Sequence, residues 1–421
     1  MTGQSILTDL SANSLPFSLD FLPPNACLVG GAVRDALLHC SRNYLDLDFV
    51  LPNRAVETAR KIANHYHAGF VVLDEQRRIA RVVFKKGTVD FAQQEGDILE
   101  QDLRRRDFTI NAIAYNIHKQ KLIDPLQGLE DLKKGQLTMV SPDNLKDDPL
   151  RLLRAYRQGI QLDFTIEEKT RRTIRQLAPL IGTVAAERVQ TELGYLFSNI
   201  RGSEGLIEMG KDGLLSPWFQ QLTEAKLHTL VIIDKFVQLL KEKLGVGYFD
   251  QLFNYDSSSS QYYSLTIQMA KLASLVSSIP EEAELELVNL KYSRSDIRAV
   301  TKALTYLPLL LENQGKMSLR NLYFFFLEVG DVFPIIAILA LVKGSELRDI
   351  LLLIDHYLDP KDQVAHPSPL ITGHDLIKDL KMKPSPEIGK ILTEIQIARI
   401  EQKISTKKEA LDLAKTYLND Y

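Results

Sequence analysis

The chain has 421 residues, 45% hydrophobic and 25% charged, a globular composition too long for one ordinary core, so two or three domains are expected. A net charge of −3 and an isoelectric point near 6.3 exclude a uniformly basic nucleic-acid binder, although a local basic patch could still contact phosphates. The two cysteines, Cys27 and Cys40, exclude a disulfide framework and are typical of reduced core residues in a cytosolic protein.

Targeting and membrane signals are weak in this sequence. The first residues lack a basic segment followed by an apolar one, so we expect no secretory signal. The longest apolar run, Phe333–Val342, falls short of the ~20 residues that a membrane span needs and predicts a buried helix. These features favour a cytoplasmic protein with no membrane partner.

The first third of the chain alternates strand and helix patterns. Helical character is predicted over Ala32–Leu38 and Ala55–His65, and short β-rich runs are predicted at 25–29, 45–51, 69–74, 79–86 and 87–93. This order predicts one α/β head domain over residues 1–137, built on a mixed sheet.

Beyond Leu145 the apolar residues recur at helical spacing almost throughout. The pattern predicts an all-α remainder, divided into a neck (138–200), a body (201–358) and a tail (359–421). The polar, serine-rich stretch Asn254–Tyr263 is predicted to be a flexible loop.

The most informative segment is 28–50. Gly30-Gly31 follows an apolar strand as a turn that could hold phosphates, and the next strand carries Asp46 and Asp48. Alternate residues of a strand share a face, so the two carboxylates are predicted side by side. Such a pair suits divalent metals that grip a nucleoside triphosphate.

Two later segments could complete this site. Asp90, in a following strand, would add a third carboxylate to hold two Mg²⁺ ions, although alone it is typical of a strand end. Arg104, Arg105 and Arg106 run into INAIAYNI (110–117), which we interpret as an apolar helix, so some of these arginines are expected beside the core, where arginine recognises phosphate or ribose oxygens. Asp107 would accept from a ribose hydroxyl or brace an arginine.

In order, GGAVRD with DLD, RRRDFTINAIAY, DPLQG, DDPLRLLRAYR and AERVQTEL resemble the class II tRNA nucleotidyltransferase family, whose head bacterial poly(A) polymerases share. The resemblance is strong over about residues 25–200. It implies a nucleotidyltransferase that acts on the tRNA 3′ end with CTP or ATP and two Mg²⁺ ions.

The resemblance also implies roles for particular residues. Asp46, Asp48 and Asp90 match the metal-binding and catalytic carboxylates of the family. The nucleotide-binding matches, from the triphosphate turn to the base-reading helix, are Gly30, Gly31, Arg34, Arg105, Arg106, Asp107, Asn111, Asp148, Arg151 and Arg154. Candidate tRNA contacts are Arg157, Lys378, Lys381 and Lys383.

Base recognition can be checked from chemistry. Asp148 and Arg151, three apart on a predicted helix, would share a face, where the carboxylate accepts and the guanidinium donates. Cytosine and adenine complement that pair, whereas uracil and guanine would leave buried groups unpaired, at about 1–3 kcal/mol each. The alternative is that Asp148, before Pro149, is only a helix N-cap.

Specificity is expected to follow loop length. Members of the family that add the full CCA end carry a long flexible loop between the third carboxylate and the RRDFT motif, and here Asp90 and Arg105 are joined by only FAQQEGDILEQDLR. This resembles the CC-adding subclass, which leaves the terminal A to a partner enzyme. The alternatives are full CCA addition, A-adding or poly(A) polymerase activity, and a non-catalytic RNA-binding protein on the same scaffold.

Overall fold

The computed structural model describes residues 15–40, 44–255, 262–313 and 316–419, which fall into two units of different architecture. Unit 1 comprises residues up to 185 together with 212–214, and unit 2 comprises 186–211 and 215 onward. Most of the predicted loop Asn254–Tyr263 and the first 14 residues lie outside the described residues.

Unit 1 is built on a seven-stranded mixed sheet. Its strands are β1 (Cys27–Val29), β2 (Leu45–Leu51), β3 (Gly69–Asp74), β4 (Ile79–Phe84), β5 (Gly87–Gln93), β6 (Ala114–Asn116) and β7 (Lys121–Ile123), in the spatial order β3-β4-β5-β2-β1-β6-β7. Within this sheet β2 and β5 pair in parallel and the other neighbours pair antiparallel, so the predicted mixed α/β head is confirmed.

The helices of unit 1 surround this sheet and extend beyond it. They are α1 (Gly31–Leu37), α2 (Ala55–Tyr66), α3 (Leu99–Arg104), α4 (Gly128–Lys134), α5 (Pro142–Asp147), α6 (Leu150–Leu162) and α7 (Glu168–Leu177). A small parallel pair, β8 (Gln136–Leu137) and β9 (Thr165–Ile166), lies among the last of these helices and has no clear sequence signal.

Alternation along the central strands decides which face of the sheet is covered. Phe49 and Phe91 are nearly fully buried and stack at 5.6 Å, and α2 packs over strands β3, β4 and β5. Asp48 and Asp90, each the residue just before one of these phenylalanines, therefore point to the opposite face. Burial of the aromatic rings on one face thus presents the carboxylates on the other.

The predicted helix over 110–117 is wrong. Thr109–Asn111 form a single 3₁₀ turn, and Ala114–Asn116 form strand β6, which pairs with β1. The stretch is buried on all sides, so its apolar residues carry no periodicity that separates a helix from a strand. Backbone pairing with β1 decides the outcome.

The regular elements in the described residues of unit 2 are all helices. The helices are α8 (Ala186–Ser198), α9 (Gly202–Lys211), α10 (Glu224–Leu244), α11 (Val246–Phe253), α12 (Leu265–Leu275), α13 (Pro280–Asn289), α14 (Arg294–Glu312), α15 (Leu319–Val329), α16 (Phe333–Val342), α17 (Leu347–Leu358), α18 (Gly373–Leu380), α19 (Pro386–Ile400) and α20 (Lys407–Asn419). The last three pack around their own small core.

The apolar run Phe333–Val342 forms a buried helix, as predicted. Helix α16 packs against α10, α12 and α14, and nine of its ten residues are buried. Together with α15 it forms the one described stretch, Leu319–Val342, that is long and apolar enough to cross a membrane. Two-thirds of its most apolar window is buried inside the protein and a 3₁₀ turn interrupts it, which is typical of core helices.

Candidate active site

Carboxylates gather on the open face of the sheet in unit 1. Asp48 on β2 lies directly opposite Asp90 on the parallel strand β5, and Asp46 lies two residues earlier on the same face. Asp46 is exposed and accepts a hydrogen bond from Thr88 Oγ1 at 2.9 Å. The sheet therefore places the three predicted carboxylates on one surface.

Asp48 and Asp90 differ in their partners. Burial, together with the negative charges of Asp90 and Asp46, raises the pKa of Asp48 to about 6, against the opposing charges of Arg106 and Arg81. Asp90 is instead held by Arg81 of β4, whose Nε and Nη2 donate to its two oxygens at 2.7 and 2.8 Å.

Crowded carboxylates of this kind are the hard oxygen ligands that Mg²⁺ uses. Within the described ranges, no three His, Cys, Asp or Glu side chains are gathered closely enough to hold a metal. Asp90 forms an ion pair with Arg81. Each Asp90 oxygen still keeps a second lone pair after accepting one bond. The donor set therefore suits a divalent cation, and the metal role of Asp90 stays a prediction.

The Gly30-Gly31 turn lies beside Asp48, because Val29, the last residue of β1, pairs with Asp48 of β2. Gly30 has a φ of +72°, which favours glycine, and a Cβ there would lie 3.3 Å from Arg106 Nη1 and 3.4 Å from Asp48 Oδ2. A Cβ on Gly31 would lie 3.6 Å from Arg34 Nη2. The turn therefore leaves a small space between two guanidinium groups and a carboxylate.

The arginine-rich segment closes this space. Nε of Arg106 is buried without a hydrogen-bond partner, and its Nη2 lies 3.5 Å from Asp102 Oδ2. Arg105 donates to Asp102 at 2.9 Å and pairs with Glu95 at 3.2 Å. Arg104 is half-exposed and pairs with Glu100. Of the three arginines, Arg106 comes closest to the glycine turn.

Asp107 lies at the centre of a buried network. Its Oδ2 accepts from Arg154 Nε at 2.9 Å, and its Oδ1 accepts from the Phe108 N–H and from Asn111 Nδ2 at 2.8 and 2.9 Å. Burial alone would raise the pKa of Asp107, but Arg154 and these hydrogen bonds lower it to about 2. Asp107 therefore stays ionised and braces an arginine, one of the two roles expected for it.

The predicted base-reading pair is arranged differently from the expectation. Asp148 is not on the helix with Arg151: it follows α5, and Pro149, rather than Asp148, is the N-cap of α6. The extended conformation that a residue before proline prefers keeps Asp148 out of the helix.

The two side chains nevertheless remain neighbours. Arg151 Nε is 4.0 Å from Asp148 Oδ2. Arg151 Nη1 donates to the carbonyl oxygens of Arg105 and Asn144 at 2.8 and 3.0 Å, and burial lowers the pKa of Arg151. The guanidinium is thereby fixed beside the arginine-rich segment.

The predicted tRNA contacts are dispersed. Arg157 lies one turn beyond Arg154 on α6 and donates to Gln161 at 2.7 Å. Lys378, Lys381 and Lys383 are all exposed, on α18 and just after it, in unit 2. Their accessibility is compatible with phosphate contact, and their role stays a prediction.

Four side chains that the sequence analysis did not select hold the site together. Arg81 pairs with Asp90, and Asp102, fully buried, accepts from Arg105 and from the Glu95 N–H. Asn144 Nδ2 donates to the carbonyls of Arg104 and Arg106. The fourth is Gln158, which accepts from Asn111 at 2.9 Å and is 2% exposed. A polar residue within an apolar helical pattern, as at Gln158, was the only available signal.

Three family models match the chain. They describe a poly A polymerase head domain at residues 26–138, a probable RNA- and SrmB-binding site of polymerase A at 163–226, and a putative tRNA nucleotidyltransferase domain 2 at 261–414.

Curated relatives and solved structures are similar to this chain over nearly its full length. A CC-adding tRNA nucleotidyltransferase of Synechocystis sp. is 52% identical over 413 residues, 98% of each chain. An A-adding tRNA nucleotidyltransferase of Deinococcus radiodurans is 30% identical and covers 92% of this chain and 94% of its own. A Thermotoga maritima CCA-adding enzyme complexed with tRNA has the same fold, with a TM-score of 0.70, 22% identity and coverage of 93% and 91%.

An α/β head with paired strand carboxylates beside a glycine turn, together with these relatives and family models, identifies a nucleotidyltransferase. The chain belongs to the tRNA nucleotidyltransferase family, as its near-full-length relatives show. The expected family, fold class and enzyme class are confirmed.

Proposed function

We propose that this protein adds CC to the 3′ end of tRNA, using CTP. The observation that carries the proposal is the connection between β5 and α3, which consists only of Gln94–Ile98. In the family that this chain resembles, a long loop at this place is associated with the change from C to A. The 52% identity to a CC-adding enzyme supports the same conclusion.

The short connection is also held in place. The Glu95 N–H donates to Asp102 Oδ1, the Asp97 N–H donates to Gln101 Oε1, and Gln94 Nε2 donates to the Gly96 carbonyl. Because Asp102 is fully buried, its bond fixes the connection to α3. A segment of this length, bonded at three points, has little freedom to reshape the base site for a second nucleotide.

The site residues divide the work of binding. Arg34 and Arg106 would donate to phosphate oxygens across the Gly30-Gly31 turn, where a side chain would intrude. Asp148 would accept from the exocyclic amine of cytosine, and Arg151 would donate to its ring acceptors. Arg154, held by Asp107, would keep the base-reading helix against the nucleotide site.

Asp46 and Asp48, with Asp90 beside them, would hold the metal. Two bound Mg²⁺ ions would supply charge neutralisation and activation of the attacking hydroxyl. The RNA 3′-oxygen would form a bond to the α-phosphorus of CTP as the α–β phosphorus–oxygen bond breaks, releasing pyrophosphate. The side chains act mainly by orienting the reactants.

Such an enzyme would work in the cytoplasm on tRNA. The helical arm would recognise tRNA by shape, with exposed cations such as Arg157, Lys378, Lys381 and Lys383 contacting phosphates. A product ending in CC would require a separate enzyme for the terminal A.

The proposal is tested with purified protein, Mg²⁺ and tRNA transcripts that end at the discriminator base, at C or at CC. Each transcript receives CTP, ATP or both, and products are resolved at single-nucleotide length. Addition of two cytidines, without A on the CC-ending transcript, is the expected result. Addition of A to that transcript would contradict CC specificity and favour a CCA-adding or A-adding enzyme, and RNA binding without incorporation would indicate a non-catalytic protein.

A further inference from the structure

Gln158 is a buried amide in the middle of helix α6, at 2% exposure, with no expected role in catalysis. Its Oε1 lies 2.9 Å from Asn111 Nδ2 and 3.4 Å from Arg34 Nη1. Burying an amide is unfavourable unless its hydrogen bonds are made. The position of Gln158 is therefore informative, because its oxygen contacts two of the predicted nucleotide-binding residues.

Gln158 and Asp107 together hold the amide nitrogen of Asn111. Nδ2 of Asn111 has two N–H groups, and the two acceptors that receive them are Asp107 Oδ1 and Gln158 Oε1. Because an ionised carboxylate and an amide oxygen only accept, the nitrogen of Asn111 must face them. Its oxygen then faces Arg34, whose Nη1 donates to it at 2.7 Å.

The orientation of Asn111 in turn fixes Arg34. Nε and Nη2 of Arg34 donate to Asp35 Oδ1, and Nη1 donates to Asn111 and, at longer range, to Gln158. These bonds account for four of the five N–H groups of a guanidinium, and the fifth belongs to Nη2. Nη2 is the atom beside Gly31.

We propose that Gln158 is a positioning residue that orients Arg34, through Asn111, toward a triphosphate at the Gly30-Gly31 turn. The inference rests on the proposed function, because it assigns the ligand of that same site. Gln158 also lies one turn from Arg154, which Asp107 holds in the same network. The helix that carries the base-reading residues is thereby joined by hydrogen bonds to the residues that hold the phosphates.

The test compares Gln158→Met, Gln158→Glu and Gln176→Met in the full-length protein. Methionine keeps the length of the side chain and removes the acceptor, glutamate keeps the acceptor, and Gln176 is an exposed glutamine on α7 that serves as the control. Steady-state kinetics give kcat and the KM values for CTP and tRNA. Calorimetry with Mg²⁺ and inorganic pyrophosphate measures phosphate binding without any transfer reaction.

For Gln158→Met we expect about a tenfold weaker affinity for pyrophosphate and about a tenfold higher KM for CTP, the effect of one well-oriented hydrogen bond to a charged group. The KM for tRNA should not change, and kcat should fall less than KM rises. Gln158→Glu should restore pyrophosphate binding, and Gln176→Met should match the wild type.

Two results would overturn the inference. One is pyrophosphate affinity in Gln158→Met equal to that of the wild type. The other is equal losses in Gln158→Met and Gln158→Glu together with lower thermal stability, which would assign Gln158 to packing alone. A wild-type protein that binds pyrophosphate but adds no cytidine to tRNA would instead contradict the proposed function, while the comparison of pyrophosphate affinities would still decide the role of Gln158.

Discussion

Both units bury charged side chains, but the two clusters differ in what they adjoin. In unit 1, Asp107 accepts hydrogen bonds from Arg154 and Asn111. Asn111 in turn bonds Gln158 and Arg34, whose Nη2 lies beside the glycine turn. The cluster in unit 2 is centred on Lys271, which contacts Asp234 and Ser203. Buried polar groups must be paired in both units. In unit 1 the pairing holds residues of the predicted site, whereas in unit 2 it joins helices.

Lys271 of α12 is fully buried. Its Nζ lies 2.7 Å from Asp234 Oδ1, donates to Ser203 Oγ at 2.9 Å and stands 4.3 Å from the centre of the Tyr263 ring. Burial lowers the pKa of Lys271. This cluster joins helices of unit 2 and contains none of the predicted site residues, so we expect it to act on stability alone.

The largest expected effect is a loss of activity with almost no change in stability, on substitution of Asp46. Asp46→Ala should reduce cytidine incorporation by about 10³-fold, the scale on which a preorganised electrostatic contact acts. Because Asp46 is exposed and its one described bond is from Thr88, the free energy of unfolding should barely change. Single-turnover incorporation and urea unfolding measure the two quantities. The exposed Asp143→Ala is the control, and wild-type activity in Asp46→Ala would refute the metal assignment.

In unit 2 we expect the opposite result, a loss of stability with no change in substrate binding. Lys271→Ala leaves Asp234 without its partner and should lower the free energy of unfolding by about 3 kcal/mol, the lower end of the range for a broken buried pair. Urea unfolding followed by circular dichroism measures this loss, with the exposed Lys235→Ala on α10 as the control. Below the unfolding transition, the KM for CTP should equal that of the wild type. A raised KM would show that this cluster also positions the site.

Asp107 should contribute to both activity and stability, and its contribution to stability depends on pH. Its folded pKa of about 2 lies below the ordinary aspartate value, so its stabilisation is present above pH 4 and is lost as the pH falls from 4 toward 2. Asp107→Asn should therefore cost about 2 kcal/mol at pH 7 and progressively less below pH 4.

Urea midpoints of Asp107→Asn and of the wild type, measured between pH 7 and pH 3, give this difference. The exposed Asp143→Asn serves as the matched control because its carboxylate lies on the surface of α5. A cost that does not vary with pH would assign the effect to lost packing rather than to the charge of Asp107.

The smallest effect on stability is expected for the partly exposed ion pair between Glu95 and Arg105. Glu95 and Arg105 are both partly exposed, so Glu95→Ala should change the free energy of unfolding by less than about 1 kcal/mol and leave the choice of CTP unchanged. Asp102→Ala, which removes the buried acceptor of the same arginine, should be clearly more destabilising. Chemical unfolding of both variants, alongside misincorporation of A, makes the comparison; equal losses would show that burial does not set the strength of this anchor.

Much of the head was predictable because its signals are local. The strands from Cys27 to Gln93 alternate or run apolar between turn residues, and each was placed within a few residues. The helix expected over 110–117 failed because an all-buried run has no face to reveal its period. Asp148 was misplaced because a residue before proline can be read either as a cap or as part of the helix, and only the backbone shows that α5 ends there.

The sequence alone determined the chemistry that this protein can perform. The order of its motifs identified the family, the alternation on β2 put Asp46 and Asp48 on one face, and the short segment after Asp90 was visible as a length. These properties depend on residues that are neighbours along the chain, so they can be recognised in the sequence without knowledge of the fold.

Only the tertiary structure decided which side chains of the site form hydrogen bonds with one another. Arg81 donates to Asp90, Asn144 donates to the carbonyls of Arg104 and Arg106, and Asn111 donates to Gln158. In the last two of these contacts the partners lie about 40 residues apart or more, and all three depend on strand register or on the path of α5 and α6. Because a hydrogen bond depends on position within a few tenths of an ångström, no spacing in the sequence predicts which donor finds which acceptor.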